Sequence, residues 1–281
     1  MDAPNILPLD YHFGPLQLTG FGLAVLAGFL TAQFVSGREL ARRNHLREAE
    51  AVPDVVLASV IGTLVGAKLY YVILTGDPGA FFSRGGFVFW GGFIGSVLLS
   101  YLTIRWKKAD FLKMSDATGI GIMAGYAVGR TGCWAVGDDY GRPWTGWLAV
   151  KFPQGAPPST AQAMERTFGV PFPPGAMPDT VLSVHPTQLY EVTLAFVFFL
   201  VLWRFRNHKH AVGWLFGMYC VLAGLERFIV EFFRAKDDRL LGPLTLAQGI
   251  ALAIAVGGAW WMMARWTPGK GRPGIEAAAA G

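Results

Sequence analysis

Apolar residues along this chain gather in long unbroken runs. They do not alternate as in a half-buried strand, nor recur every third and fourth position as on a surface helix. A bilayer core of roughly 30 Å takes about 20 residues of helix, and seven runs suit it: 16–36, 55–74, 86–104, 118–136, 189–203, 213–233 and 244–264. The fifth is short, but Leu189–Trp203 can be prolonged backward toward His185. Between runs the chain is polar and brief, except over 137–184, where Pro157-Pro158 and Pro173-Pro174-Gly175 predict an irregular cap. The pattern therefore predicts an all-α integral membrane protein of seven transmembrane helices. Residues 1–265 form a single transmembrane domain carrying a cap at about 137–184, and 266–281 a flexible tail. The first run has no Lys or Arg before it and follows Asp2 and Asp10, so no cleavable signal peptide is expected.

Composition agrees. Of 281 residues 53% are hydrophobic and 15% charged, against roughly 25% charged in soluble domains. The chain lacks the charge to cover a water-facing surface, which argues against a soluble enzyme, a nucleic-acid module or a disordered scaffold. The net charge of +5 is the ordinary result of Lys and Arg collecting in cytoplasmic loops, so no nucleic acid is expected as a partner. Cys133 and Cys220 both lie in apolar runs without metal-ligand spacing, so neither a disulfide framework nor a metal is indicated.

Cation counting orients the chain. Arg38, Arg42, Arg43, Arg47, Arg105, Lys107, Lys108, Lys113, Arg204, Arg206 and Lys209 share one side with Arg265, Lys270 and Arg272 of the tail. The other side holds Arg84, Arg142, Lys151, Arg166, Arg234, Lys236 and Arg239. This twofold bias places the N-terminus outside, the C-terminus in the cytoplasm, and the cap outside.

Three cations remain, inside the runs: Lys68, Arg130 and Arg227, each six residues before a predicted outer end at 74, 136 or 233. That depth is about 9 Å at 1.5 Å per residue. Buried cations usually face a cavity or a partner, although each side chain could instead snorkel alone to the headgroups. Two features favour a shared site. Arg227, Glu231 and Arg234 recur at i, i+4 and i+7; a salt-bridge ladder would explain them, yet one Glu cannot neutralise two Arg. Gly121, Gly125 and Gly129 form a small-residue ridge that would let a neighbouring helix approach, with Arg130 directly after it. A cationic cavity in the outer half of a membrane suits a lipid phosphate, which Arg grips with two N–H groups.

Several motifs resemble a known family. His185-Pro-Thr-Gln-Leu-Tyr-Glu191, Gly129-Arg130-Thr131-Gly132 with Gly137-Asp138-Asp139-Tyr140-Gly141-Arg142, and Arg227-Phe-Ile-Val-Glu231-Phe-Phe-Arg234 are similar to signatures of the bacterial prolipoprotein diacylglyceryl transferases. Gly14-Pro15 ahead of Gly22-Leu23, and Trp90-Gly91-Gly92-Phe93-Ile94-Gly95, resemble that family's first and third helices, in the same order along residues 13–264. The resemblance implies a multi-pass enzyme of the bacterial inner membrane without cofactor. Such enzymes move the diacylglyceryl group of phosphatidylglycerol, a membrane lipid, to the lipobox cysteine of a prolipoprotein signal peptide. A thioether forms and glycerol 1-phosphate leaves, the first step of lipoprotein maturation. Carried over by motif, the catalytic residues are Arg130, Arg227 and His185; substrate is bound by Arg130, Arg227, Glu231, Arg234, Gly141 and Tyr190, and Lys68 joins them on its depth alone.

The departures are specific. Trp90 stands where the family usually has His, Phe21 where it has Tyr, and Cys133 where it has Asn; Val136 and Asp138 replace a second Asn and a Glu. The thiol proton then has His185 as its candidate acceptor, or no dedicated base. His185 reads equally as a residue ordering the start of the fifth helix, and Tyr190 and Glu191 divide the same way. Cys133 reads as a small buried apolar residue. Beside the transferase stand a paralogue that binds anionic lipid or uses another acceptor, and a transporter, which the missing internal repeat disfavours.

Overall fold

A computed structural model describes residues 3–13, 16–83, 86–235, 239–241 and 244–266. Gly14-Pro15, Arg84, Lys236 and nearly all of the 266–281 tail lie outside the described residues. Eight α-helices occur among those described: α1 (Gly20–Arg42), α2 (Leu46–Thr75), α3 (Phe89–Trp106), α4 (Phe111–Val136), α5 (Ala161–Phe168), α6 (Thr187–Phe205), α7 (Trp214–Glu231) and α8 (Leu246–Ala264). Each of the seven predicted runs falls on one of them, and α5 is an addition within the cap. Four (α1, α2, α6 and α8) are long and apolar enough to cross a membrane. Their outer faces carry side chains that water would reject, such as Phe34 at 66%, Ile73 at 74% and Trp260 at 63% exposure. Burial runs opposite to a soluble bundle, as in a protein solvated by lipid.

The ends differ from expectation. The chain opens with a hairpin, β1 (Asp10–Phe13) against β2 (Leu16–Thr19), so the first helix starts at Gly20 and not at 16. It runs on to Arg42, and α2 begins at Leu46 with Pro53 inside it. The end of α7 is Glu231. Lys68, Arg130 and Arg227 therefore stand seven, six and four residues before their helix ends, not six in each case. A second short hairpin, β3 (Arg239–Leu241) and β4 (Leu244–Thr245), leads into α8.

Two compact units divide the chain, one built from 1–32 with 119–270 and the other from 33–118. In the second, α2 and α3 meet backbone to backbone along Gly62 and Gly66 against Gly91 and Gly95. A methyl group on Gly62 would run into the carbonyl oxygen of Gly95, and one on Gly66 into that of Gly91. Ser59 Oγ and Ser96 Oγ hydrogen-bond at 2.7 Å across the seam. Its core joins Leu40, Val52, Val55, Ile104 and Met114.

In the first unit α1 lies along α4. A Cβ on Gly28 would sit 2.8 Å from the oxygen of Gly125, and one on Gly132 2.9 Å from Ala24 Cβ. The small-residue ridge thus serves α1, while a Cβ on Gly129 would meet nothing within 4 Å. The cap is less irregular than its Pro and Gly content predicts. Tyr140, Val150, Phe152, Met164 and Val184 bury into a core of their own, and bridges such as Val150–Val184 and Thr160–Val181 tie its strands. Pro and Gly break regular elements, but the aromatic and aliphatic residues between them supply enough apolar area to fix the loop.

Candidate active site

The C-terminal ends of α4 and α7, the start of α6 and the cap strand between them bring charged residues together within the first unit. From α4, Arg130 Nη1 donates to Asp139 Oδ2 at 2.9 Å and to Cys133 Sγ at 3.2 Å, and its Nη2 pairs with Glu191 of α6. Arg234 Nη2 meets the other oxygen of Asp139 at 2.7 Å, and Nη1 lies 3.8 Å from Glu191. Arg227 pairs with Glu231 at 2.7 Å, and Arg234 Nε stands 3.7 Å from the same Glu231 oxygen. Thr245 Oγ1, which caps α8, donates to the remaining Glu231 oxygen at 3.2 Å. Three guanidinium groups are thus linked through three carboxylates.

Each residue is held for a local reason. Asp139 adopts a left-handed backbone, φ 55°, a conformation Asp tolerates better than most residues. Thr187 Oγ1 donates to its carbonyl and Gln188 Nε2 to that of Asp138, both at 2.6 Å, so the start of α6 clamps the signature loop. Gly141 lies where strands crowd: a side chain would strike the carbonyl of Phe233, His185 Cβ and Thr187 Cγ2. Gly141 N–H donates to His185 O, and Arg142 N–H to Phe233 O, each at 2.9 Å. Arg234 consequently owes its position to its bridge with Gly141, beyond the end of α7, and not to the i+7 helical face predicted for it.

Electrostatics follow the geometry. Burial alone would raise the Asp139 carboxyl, but Arg234 and Arg130 outweigh it and hold the group down at about 2. Asp138, buried beside Asp139, is pushed above the usual carboxylate range. Burial also lowers His185 below the usual imidazole value. That ring stacks on Trp144 at 4.3 Å, packs edge-on to Phe233, and shares a 3.1 Å hydrogen bond between Nδ1 and the Tyr190 hydroxyl.

Of the residues selected from sequence, Arg130, Arg227, Glu231 and Arg234 converge, with Gly141, His185 and Tyr190 beside them on the cap side. Lys68 belongs to the other unit, where Nζ donates to the carbonyl oxygen (2.5 Å) and hydroxyl (3.2 Å) of Ser83 and lies over Phe87. Trp90, half exposed, packs against Phe89 and Phe93 in that unit. The expectation of uncompensated positive charge on Arg227, Glu231 and Arg234 needs correction, because Asp139 and Glu191 both reach Arg234 from outside that motif. Asp139 stands in a signature whose spacing assigns it no role, and Glu226, an acid next to Arg227 within an apolar run, belongs to no motif. Cys133, Asp138 and Asp139 place ligand atoms within 4.8 Å of one another, but two guanidinium groups on Asp139 oppose a metal ion there.

Comparison with known proteins decides the family. A model described as prolipoprotein diacylglyceryl transferase matches residues 8–264. The chain belongs to that family. It is 31% identical over 270 residues to the phosphatidylglycerol–prolipoprotein diacylglyceryl transferase of Nitratidesulfovibrio vulgaris, covering 92% of this chain and 94% of that one. The protein of that name from Geobacter sulfurreducens is 30% identical over 281 residues, covering 91% and 97%. The one from Paraburkholderia phymatum is 31% identical over 310 residues and covers 98% of each chain. Among transferases of this family, the chain combines a linked arginine cluster with Trp, Phe and Cys at positions 90, 21 and 133.

Proposed function

We propose that the chain transfers the diacylglyceryl group of phosphatidylglycerol to the lipobox cysteine thiol of prolipoproteins. The observation that carries this is the convergence of Arg130 and Arg234 on the two oxygens of one carboxylate, Asp139, with Arg227 joined through Glu231. Two guanidinium groups already arranged about one anion are arranged for a phosphate as well. In the reaction the sulfur attacks the glyceryl carbon, the carbon–oxygen bond to phosphorus breaks, and charge collects on the departing glycerol 1-phosphate. Arg130 and Arg227, with Arg234 linked to both through Asp139 and Glu231, would stabilise that charge in water-poor surroundings, where preorganised donors count most. Glu231 orients Arg227, and Asp139 holds Arg130 and Arg234 together. Gly141 allows the close approach that brings Arg234 and His185 into place. Through its hydrogen bond to Tyr190, His185 acts as a positioning residue on the cap side.

In this reading seven helices cross the bacterial inner membrane with the N-terminus outside, and residues 1–265 work as one transferase domain with a flexible cytoplasmic tail. The partners are phosphatidylglycerol and prolipoprotein signal peptides. The residues themselves supply the required chemistry without a metal or organic cofactor. The test is transfer of labelled diacylglyceryl from phosphatidylglycerol vesicles to a lipobox peptide by the purified full chain. Thioether formation is the expected result. Transfer to another acceptor, or lipid binding without transfer, refutes it.

A further inference from the structure

The reaction needs an acceptor for the thiol proton. Trp90 offers no basic nitrogen, since an indole can only donate. The Nδ1 of His185 is engaged by Tyr190, with the ring face against Trp144. A third candidate is Glu226 on α7. Its side chain is only 4% exposed, and its Oε1, wholly buried, has no hydrogen-bond partner among the described residues. Burying a carboxylate oxygen without a partner is costly, and packing gives no reason for an acid where leucine would fill the space.

Its surroundings are chemical. Glu226 interacts electrostatically with Arg130, Arg227 and Arg234, and with the hydroxyl of Tyr126 on α4. The two helices touch at Gly119 and Tyr219, where a Cβ on the glycine would lie 3.1 Å from the tyrosine Cβ. Tyr126 and Glu226 each stand seven residues further along, two helical turns, and so return to the same faces. Tyr126 precedes Arg130 by one turn, about 6 Å. The acid therefore sits at the inward edge of the guanidinium cluster, directly before Arg227 and level with Tyr126, on the side where the acyl chains of a bound lipid would lie. Displacement at the glyceryl carbon is in line: the thiol must approach from the side opposite the departing phosphate oxygen. With phosphate on Arg130 and Arg227, that side faces inward.

We propose that Glu226 is the catalytic base for the substrate thiol, an assignment that rests on the transferase reading above. The S–H proton passes to Oε1 of Glu226 as the sulfur electron pair forms the carbon–sulfur bond. The electrons of the breaking carbon–oxygen bond leave on glycerol 1-phosphate, and the carboxyl later returns its proton to that phosphate or to water. The positive field of the three arginines lowers the cost of forming the thiolate.

The experiment compares the full chain with Glu226→Gln on two lipobox peptides, one with cysteine and one with selenocysteine at the acceptor position. A selenol is already ionised at neutral pH and needs no base. Glu226→Gln is expected to lower kcat on the cysteine peptide about 100-fold or more, the usual contribution of a positioned base. Its KM for phosphatidylglycerol should stay within about twofold, and its rate on the selenocysteine peptide within about tenfold of the parent, because only the proton transfer is lost. Should Glu226→Gln lose its thermal unfolding transition, Glu226→Asp carries the same comparison with the charge kept. A parental rate on the cysteine peptide overturns the assignment, as does an equal loss on both peptides. A parent chain that modifies neither peptide instead overturns the transferase reading beneath it.

Discussion

Replacing Arg130 by Gln separates what this residue does for the fold from what it does for the reaction. The arginine side chain is 13% exposed, and its partner Glu191 only 1%. Once Arg130 is gone, the nearest cation to Glu191 is Arg234 Nη1 at 3.8 Å, beyond hydrogen-bond reach. Leaving a buried charge without its partner typically costs about 3–5 kcal/mol. At roughly 2–4 °C per kcal/mol for a chain of this size, Tm should drop by about 6–20 °C. Adding Glu191→Gln removes the orphaned charge, so the double variant should recover most of that loss, with a coupling of about 2–3 kcal/mol. Activity should behave differently. A donor to charge that develops in the transition state is worth about 3 kcal/mol, a 10²–10³-fold fall in kcat, and Glu191→Gln cannot replace it. The measurements are thermal unfolding in detergent and transfer of labelled diacylglyceryl to a lipobox peptide. Near-normal turnover in Arg130→Gln refutes the phosphate role, and strictly additive Tm losses refute the pairing argument.

Arg227→Lys should be nearly as inactive in the same assay as Arg227→Ala, since an ammonium lacks the guanidinium fork; recovery of most of the rate with Lys would refute the bidentate contact. His185→Gln should slow transfer without altering the shape of the pH–rate profile, as expected for a residue that holds Tyr190; loss of an acidic limb near or below pH 6.5 would instead mark it as a base. Asp139 has its carboxyl depressed from 3.8 to about 2 by Arg234 and Arg130 against the effect of burial. Its stabilisation is therefore complete above about pH 4 and lost as pH falls toward 2, and the Tm gap between the parent and Asp139→Asn should close over that interval. Gly125→Val would push a side chain into Gly28 O and Ala32 Cβ, 2.5 and 3.0 Å from the first added carbon. It should cost about 1–3 kcal/mol, read as a lower Tm.

How much of this was legible beforehand depended on whether the determining contacts were local. The seven runs could be read because an apolar stretch of membrane length carries its own signal. The start of α2 could not: Glu48, Glu50 and Pro53 look like a loop and a helix opening, yet Glu48 accepts the amide of Asp110 at 3.1 Å and the helix begins at Leu46. Arg130 and Arg227 stood out as charges in apolar surroundings. Their carboxylate partners did not, because Asp139 and Glu191 reach them from a loop and from another helix, pairings that no spacing along one helix encodes. The core of the cap was hidden for a similar reason. Tyr140 and Phe152 stack at 5.4 Å across a stretch whose Pro and Gly content suggests no regular structure.

The bridging of Arg130 and Arg234 by Asp139 has a consequence for donor choice. An incoming anion does not enter an empty positive hole; it exchanges with a carboxylate already there. Much of the electrostatic attraction therefore cancels between the two anions, and inorganic phosphate gains little by the swap. A phospholipid brings a second source of free energy, two acyl chains that stay in an apolar medium while the headgroup trades places with Asp139. Selection then rests on the tails as well as the charge, so free phosphate and added salt should compete poorly with the lipid for the same arginines.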